Sequence, residues 1–478
     1  MKKSDIGIYG LGVMGQNLAL NFNDNEFRVS AFNRKLPGED NLVKEFMNGP
    51  ASKTAIQGFE EVEDFVQSIK PPRKILIMVK AGAPVDSVID QLRPLLDEGD
   101  ILIDGGNSHH ADTNRRSDML ENQNIYYVGT GVSGGEEGAR NGPSLMPGGS
   151  EKAWPEIKPL FESIAATSPD GDACCSWMGS AGAGHFVKMV HNGIEYAIMQ
   201  MIAECYEIMR LGMQMDNADI AQTFSSWNSD LLSSYLLEIT ADIFRVKDPE
   251  DDRTYIIDHI LDKAGQKGTG RWTALTALEL GVPLPMITEA VFARTMSSFK
   301  DLRIKASEEF EVNTIPLLKK ESLDQLREAL LGGQLIAFSE GFWLLRAAKQ
   351  EYGWEIPFAE VADTWSGGCI IRSALLKPIA ASFREKPELQ HLLLAPLLKE
   401  MTNSVHENWR LIAAHAVESG LAVPVTAAAL AHFDSLRSER LPANLIQAQR
   451  DYFGAHQYER TDQPRGKFFH TKWKERLQ

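Results

Sequence analysis

Ile6-Gly-Ile-Tyr-Gly10-Leu-Gly12-Val-Met14-Gly15 joins a short apolar run to an amphipathic segment, with three glycines at the junction. A strand that turns abruptly into a helix, with space for a dinucleotide, has this spacing. The first glycine permits the turn, the second lets backbone approach a pyrophosphate, and the third lets helix and strand pack closely. The phosphates then rest on unpaired N–H groups at the start of the helix. Working outward, residues 5–9, 28–32, 74–80, 100–106, 125–133 and 174–178 read as strands. Amphipathic segments such as 12–25, 85–96 and 112–122 lie between several of them. This alternation predicts βαβ units and a largely parallel, helix-covered sheet.

The first domain is therefore expected over residues 1–180 as a Rossmann-type α/β unit, and its second strand decides which dinucleotide it takes. A site for NAD needs a carboxylate there to accept from the ribose 2′-OH. The segment ends Ala31-Phe-Asn33-Arg34-Lys35, with no carboxylate and two cations where a 2′-phosphate would lie. Arg34 can stack on adenine and fork to the phosphate, and Lys35 adds a point charge. NADP is the expected cofactor. Three more strand ends, Met78-Val79-Lys80-Ala81-Gly82, Asp104-Gly-Gly-Asn107-Ser108 and Val132-Ser133-Gly134-Gly135, fall on the same carboxyl edge of the sheet. Each alone could be a plain turn; three on one edge make a ligand crevice.

From about Ala181 the texture changes to long segments of period near 3.6, which predicts an all-helical domain over 181–437. Within it, Ala203-Glu-Cys-Tyr-Glu-Ile-Met-Arg210 is similar to Ser339-Glu-Gly-Phe-Trp-Leu-Leu-Arg346, and Ala221-Gln-Thr-Phe-Ser225 to Ala362-Asp-Thr-Trp-Ser366. Either the helical unit is duplicated, or two amphipathic helices are alike by chance. Residues 438–478 contain prolines, glycines and aromatics but no long periodic stretch. They read as an ordered extension that lies on another surface, such as a second subunit.

The second domain opens with Lys188-Met-Val-His191-Asn192-Gly-Ile-Glu195-Tyr196. Lys188, His191, Asn192, Glu195 and Tyr196 stand at i, i+3, i+4, i+7 and i+8, which puts them within an arc of roughly 140° on one helix face. Val187, Val190, Ile194, Ala197 and Met201 form the opposite, core face. A solvated surface stripe is usually repetitive Lys and Glu, whereas this one mixes an amine, a carboxyl, an imidazole, an amide and a phenol. A lysine stripped of water can be neutral enough to take a hydroxyl proton. Glu195, two turns on, could deliver a proton if its surroundings keep it protonated.

Composition limits the alternatives. The 478 residues hold 49 Lys plus Arg against 65 Asp plus Glu, a formal charge of −16, which disfavours nucleic-acid partners. No apolar run approaches the ~18–20 residues of a membrane span, and no signal-peptide core follows the N-terminal Met-Lys-Lys. Four cysteines (Cys174, Cys175, Cys205, Cys369) without CxxC or Cys/His metal spacing read as buried thiols of a cytoplasmic protein with no metal site.

In these motifs, and along essentially its whole length, the chain resembles the decarboxylating 6-phosphogluconate dehydrogenase family. The resemblance rests on Gly10–Gly15, on Asp104-Gly-Gly-Asn-Ser, on Gly131-Val-Ser-Gly-Gly-Glu-Glu-Gly-Ala-Arg140, and on the segment from Lys188 to Tyr196. It continues through Asp262-Lys-Ala-Gly-Gln-Lys267-Gly-Thr-Gly-Arg-Trp272, Val291-Phe-Ala-Arg294 and Gln449-Arg450-Asp-Tyr-Phe-Gly-Ala-His456. It implies NADP-dependent oxidation of 6-phospho-D-gluconate at C3 and loss of C1 as CO₂, giving ribulose 5-phosphate. Lys188 is then the general base and Glu195 the acid. Gly10, Gly12, Met14, Gly15, Asn33, Arg34, Lys35, Val79, Lys80, Ala81 and Asn107 would meet the cofactor. Asn107, Ser133, Gly134, Gly135, His191, Asn192 and Glu195 would hold the sugar acid, and Tyr196, Lys267 and Arg294 its phosphate. Arg450 and His456 would complete the site of a partner subunit, making the protein a homodimer. Departures from the family pattern are Lys35 in place of Ser or Thr, His109-His110 in place of an acidic and an aromatic residue, and Arg271 in place of lysine. A non-decarboxylating β-hydroxyacid dehydrogenase, or a non-catalytic NADPH-binding protein, are the other readings; the chain's length disfavours the first and intact Lys188 and Glu195 the second.

Overall fold

The structure, a computed structural model, describes residues 2–35, 41–311 and 318–476. Its first layer is a sheet of β1 (Ile6–Tyr9), β2 (Val29–Phe32), β3 (Gln57–Phe59), β4 (Lys74–Ile77), β5 (Ile101–Asp104), β6 (Tyr126–Ser133) and β7 (Ser144–Gly149). The order across the sheet is β3-β2-β1-β4-β5-β6-β7. The first six strands run parallel, with Ile8 beside Ala31 and Leu76, and β7 pairs antiparallel with β6 at the edge. Among the described residues, seven α-helices accompany the sheet: α1 (Val13–Asp24), α2 (Leu42–Asn48), α3 (Val62–Gln67), α4 (Ala83–Leu92), α5 (His110–Glu121), α6 (Gly135–Asn141) and α7 (Trp154–Ile164).

The strands are apolar throughout because both faces are covered. Side chains alternate between two cores. Ile6, Ile8, Leu76, Ile101 and Ile103 join Leu18 and Phe22 of α1 and Phe161 of α7. Tyr9, Ile75, Ile77 and Leu102 join Phe65 of α3, Val88 of α4 and Leu120 of α5. The chain direction reverses its march between β1 and β4, so their carboxyl ends open a crevice at the switch point.

One sequence reading is corrected here, and two strands that sequence reading missed are added. Residues 174–178 do not form a strand: Cys175 makes one isolated bridge to Leu145, and the segment is otherwise irregular although Cys174, Cys175 and Met178 are buried. The edge it would have taken belongs to β7, which sequence reading missed because Pro147 cannot donate to a ladder and two glycines follow it. The short β3 was also missed, its three residues being too few to show a period.

The helical layer is α8 (Ala183–Glu207), α9 (Asn217–Trp227), α10 (Tyr235–Ile243), α11 (Ile256–His259), α12 (Thr269–Glu279), α13 (Pro285–Ser297), α14 (Lys300–Glu309), α15 (Leu323–Tyr352), α16 (Phe358–Trp365), α17 (Leu376–Glu385), α18 (Pro396–Glu418) and α19 (Pro424–Leu436). The suspected repeat has a structural counterpart. Each copy is a long helix followed by a short one, α8 with α9 and α15 with α16, and the long pair pack on each other. Tyr235 N donates to Arg372 O and Ala374 N to Ser233 O, joining the turns that follow the short helices.

Residues group into two compact units, Met1–Ala429 and Leu430–Gln478. The second contains α20 (Ala443–Gly454) and a hairpin of β8 (Tyr458–Glu459) and β9 (Phe468–Phe469). It is tied by Asp451, which is fully buried. Its carboxylate accepts from Gln457 N, Thr471 N and Trp473 Nε1, and meets His470 Nδ1 at 2.9 Å. Those bonds hold the Asp451 carboxyl well below the usual carboxylate range against its burial.

Candidate active site

Gly10 sits at φ +105°, a backbone that favours glycine, and a Cβ on Gly15 would overlap the Gly10 carbonyl. Gly12 caps α1 without a side-chain bond, and nothing lies within 4 Å of the place a Cβ would take. The start of α1 is exposed at Gly12 and Val13, as an anion site at a helix N-terminus requires. Asn33 braces the turn, its Oδ1 accepting from Leu11 N at 3.0 Å. Half-buried Arg34 forms no ion pair among the described residues, while exposed Lys35 pairs with Glu60 and Glu61 at 3.4 and 3.5 Å. Such exposed pairs are weak and screened by solvent, so a phosphate can compete for Lys35. Met14, Val79 and Ala81 are half-buried, and Lys80 is exposed, along this same edge.

The helix α8 reaches the sheet through glycines. A Cβ on Gly129 of β6 would lie 2.6 Å from His185 Nδ1. One on Gly131 would overlap Lys188 Cβ and lie 2.9 Å from its Cγ. Only bare backbone lets the helix come this near, and that contact sinks Lys188 to 6% exposure. Asn107, Ser108, Lys188, Thr269 and Trp272 line one narrow crevice.

A hydrogen-bond chain fixes the polar groups. Asn192 Nδ2 donates to Thr269 Oγ1 at 3.0 Å, which leaves Asn192 Oδ1 as the acceptor facing His191 Nδ1, also at 3.0 Å. With this amide orientation Nδ1 carries the proton, and Nε2 accepts from the Ser133 hydroxyl at 3.1 Å. Lys188 Nζ lies 3.3 Å from that Nδ1. Facing an N–H, an amine can accept and an ammonium cannot. Burial acts in the same direction, drawing the Lys188 amine below the ordinary lysine range against the pull of Glu195 and Cys369. Burial, with Lys188 adding to it, keeps His191 neutral. Burial also raises the Glu195 carboxyl, which Lys188 and Arg294 oppose. Its Oε2 stands 3.8 Å from His191 Nδ1.

One turn on, the Arg294 guanidinium of α13 lies 3.5 Å over the buried Tyr196 ring. Gly134 and Gly135 start α6 directly after Ser133, and Gly135 faces open space. Thus Lys188, His191, Asn192, Glu195, Ser133 and Asn107 are brought together, with Tyr196 and Arg294 adjoining. Lys267 is exposed on the loop before α12. Arg450 and His456 lie in the second unit and are exposed there.

Sequence reading missed a wall of this crevice. The end of α16 brings Trp365 edge-on to His191, with ring centres 5.9 Å apart, and the loop after it brings Gly368 O within 3.3 Å of a Cβ placed on Gly138. Cys369 joins it, its buried thiol pushed up to about 12. Only its Ser-Gly-Gly-Cys spelling between two helices hinted at a functional loop.

Also missed was Arg116, wholly buried on α5. It bonds Asp86 at 2.9 and 3.0 Å, Gly82 O at 3.0 Å and Asp104 at 3.4 Å. Asp104 further accepts from Ser108 Oγ and Tyr127 OH. This knot ties the loops after β4 and β5 that carry Ala81 and Asn107. Arg116→Ala strands a buried carboxylate, and a loss of about 3–5 kcal/mol in unfolding free energy is expected. A melting temperature within a degree of wild type would contradict the knot.

A cofactor turn at the switch point of a parallel sheet, faced by a helix bearing a buried amine, places the chain among the dinucleotide-dependent dehydrogenases. Comparison with known proteins narrows this. The family model for the NAD binding domain of 6-phosphogluconate dehydrogenase matches residues 5–179, and that for its C-terminal domain matches residues 184–473. The "6-phosphogluconate dehydrogenase, decarboxylating" of Haemophilus ducreyi is 49% identical over 98% of this chain and 96% of its own length. That of Mus musculus is 48% identical over 99% and 97%. A solved Plasmodium falciparum 6-phosphogluconate dehydrogenase, studied in its apo form, with its cofactor NADP+ and with its substrate 6-phosphogluconate, superposes with a TM-score of 0.93. It is 38% identical and covers 98% of this chain and all of that one. The chain belongs to the 6-phosphogluconate dehydrogenase family.

Proposed function

We propose that this protein oxidises 6-phospho-D-gluconate with NADP⁺ and decarboxylates it to ribulose 5-phosphate and CO₂. The observation that carries the reading is the Lys188 amine, buried and facing an N–H of neutral His191, with the Glu195 carboxyl two turns along the same helix. The cofactor would lie over Gly10, Gly12 and Gly15, with Asn33, Arg34 and Lys35 at its adenosine 2′-phosphate and Val79, Lys80, Ala81 and Asn107 toward its nicotinamide. When bound, NADP⁺ takes up the hydrogen and electron pair of the C3–H bond.

The residues of the chain do the rest. Neutral Lys188 removes the C3 hydroxyl proton, and the ammonium so formed donates to the new C3 carbonyl oxygen. That carbonyl makes the substrate a β-keto acid, so the C1–C2 electron pair can flow into it as C1 departs as CO₂. Lys188 returns its proton to the oxygen, giving an enediol. Glu195, whose carboxyl burial raises, then protonates the carbon that lost the carboxylate, and Lys188 takes back the hydroxyl proton. Ser133, Gly134, Gly135, His191 and Asn192 orient the sugar acid. Tyr196, Lys267 and Arg294 receive the phosphate.

We also propose a homodimer in which Arg450 and His456 complete the neighbour's site. Exposed Leu278, Phe292, Met296, Phe299 and Leu302 in the first unit, and Leu445, Ile446 and Phe453 in the second, support a covered interface. Truncation before Arg450 is expected to raise KM for 6-phosphogluconate at least about tenfold, since charge-assisted bonds to an anion are lost; unchanged kinetics would refute the shared site. A cytoplasmic location is supported by four buried cysteines, all free. No helix among the described residues is long and apolar enough to cross a membrane.

The test of the reaction is simultaneous measurement of NADPH and CO₂ from NADP⁺ and 6-phosphogluconate. Equal yields are expected; NADPH without CO₂ would make it a non-decarboxylating dehydrogenase.

A further inference from the structure

Two buried glutamates at matching places in the repeat each cap a helix that lies outside the repeated pair. Glu204 near the end of α8 and Glu340 in α15 correspond in the two similar octapeptides. Glu340 Oε1 accepts from Met286 N at 2.9 Å and Oε2 from Ile287 N at 3.0 Å, the first turn of α13. Glu204 accepts from Val425 N at 2.9 Å and Thr426 N at 2.8 Å, the first turn of α19. Both receiving helices begin with proline, at Pro285 and Pro424, four residues after a left-handed glycine, Gly281 (φ +65°) and Gly420 (φ +74°). The start of α13 has no cap from its own sequence. Two of its orphan N–H groups are satisfied by Glu340 of α15 instead.

The consequence differs between the two helices. α13 carries Arg294, whose guanidinium lies 3.5 Å over the Tyr196 ring beside the crevice. We infer that Glu340 is a positioning residue for the reaction: from α15 it fixes the start of α13 and, through that helix, the guanidinium that receives the substrate's phosphate. The inference rests on the proposed role of Arg294. Glu204 performs the same capping on a helix that carries none of the proposed site residues.

A double-mutant cycle between Glu340 and Arg294 tests this, with KM, kcat and melting temperature measured on the full-length enzyme. Glu340→Ala is expected to raise KM for 6-phosphogluconate about tenfold, the scale of losing bonds to a carboxyl, with kcat within about twofold. Glu340→Gln, which keeps one acceptor, should recover most of that KM. In an Arg294→Ala background, either Glu340 substitution should add almost nothing, because the group it positions is gone. Glu204→Gln should lower the melting temperature and show no coupling to Arg294. The inference is overturned if Glu340 variants lower only the melting temperature, or if their KM effect multiplies in full with that of Arg294→Ala. Should Glu340→Ala fail to fold, Glu340→Gln decides through the same coupling. A normal KM for Arg294→Ala itself would overturn the phosphate assignment, a result distinct from Glu340 failing to follow Arg294.

Discussion

Lys188→Ala is expected to lower kcat about a thousandfold or more while the affinity for NADPH stays within about twofold. In the proposed mechanism two contributions are lost together: the general base for the C3 hydroxyl and the donor to the carbonyl oxygen during decarboxylation. The side chain is fully inside the crevice, so truncation also removes packing, and Lys188→Met separates the two by keeping the volume. Both variants should fold and both should be inactive. The pH dependence follows from the same groups. Lys188 must begin neutral, so activity falls as pH drops through its lowered pKa. Glu195 must begin protonated, so activity falls as pH rises through its raised one. Glu195→Gln should remove the alkaline limb along with most of the turnover. Turnover of Lys188→Met near the wild-type value would remove the base from the mechanism.

The second large effect is expected far from any titrating group. Gly131→Ala introduces one methyl where Lys188 Cβ and Cγ already lie. The neighbour is the stem of the side chain on a rigid helix, not its flexible end, so α8 must retreat from β6. Displacement of a reacting group by about 1 Å costs on the order of 10² in rate, and kcat should fall by that factor. Binding of NADPH, proposed to rest on the turn after β1, should persist. Wild-type kcat in Gly131→Ala would mean that the close approach of helix and sheet is not what places the amine.

What the sequence discloses and what it hides divide along a physical line. Local periodicity is legible: the apolar strands β1, β2, β4, β5 and β6, the glycine turn, and the mixed polar face of α8 can all be read from neighbours in the chain. Features decided by distant partners are not. Pro147 argues against a strand, yet β7 forms because the edge of β6 offers it a partner and Gly148 admits α8. Residues 174–178 look like a strand and are denied a ladder because that edge is taken. Arg116 reads as a charge on an amphipathic helix and is buried, because Asp86 and Asp104 converge on it. Trp365 and Cys369 reach the crevice from the end of a helix and the loop after it, about 180 residues beyond Lys188. The crossed glutamates were visible only as part of a weak repeat.

The central claim is that Lys188 is held as a neutral amine by burial and by the N–H of His191. Protein labelled with ¹³C at lysine Cε, titrated by NMR, reports it directly. The account predicts one resonance, absent in Lys188→Met, that titrates below the 10.5 of an ordinary lysine. A Lys188 resonance that titrates together with the exposed lysines would contradict it.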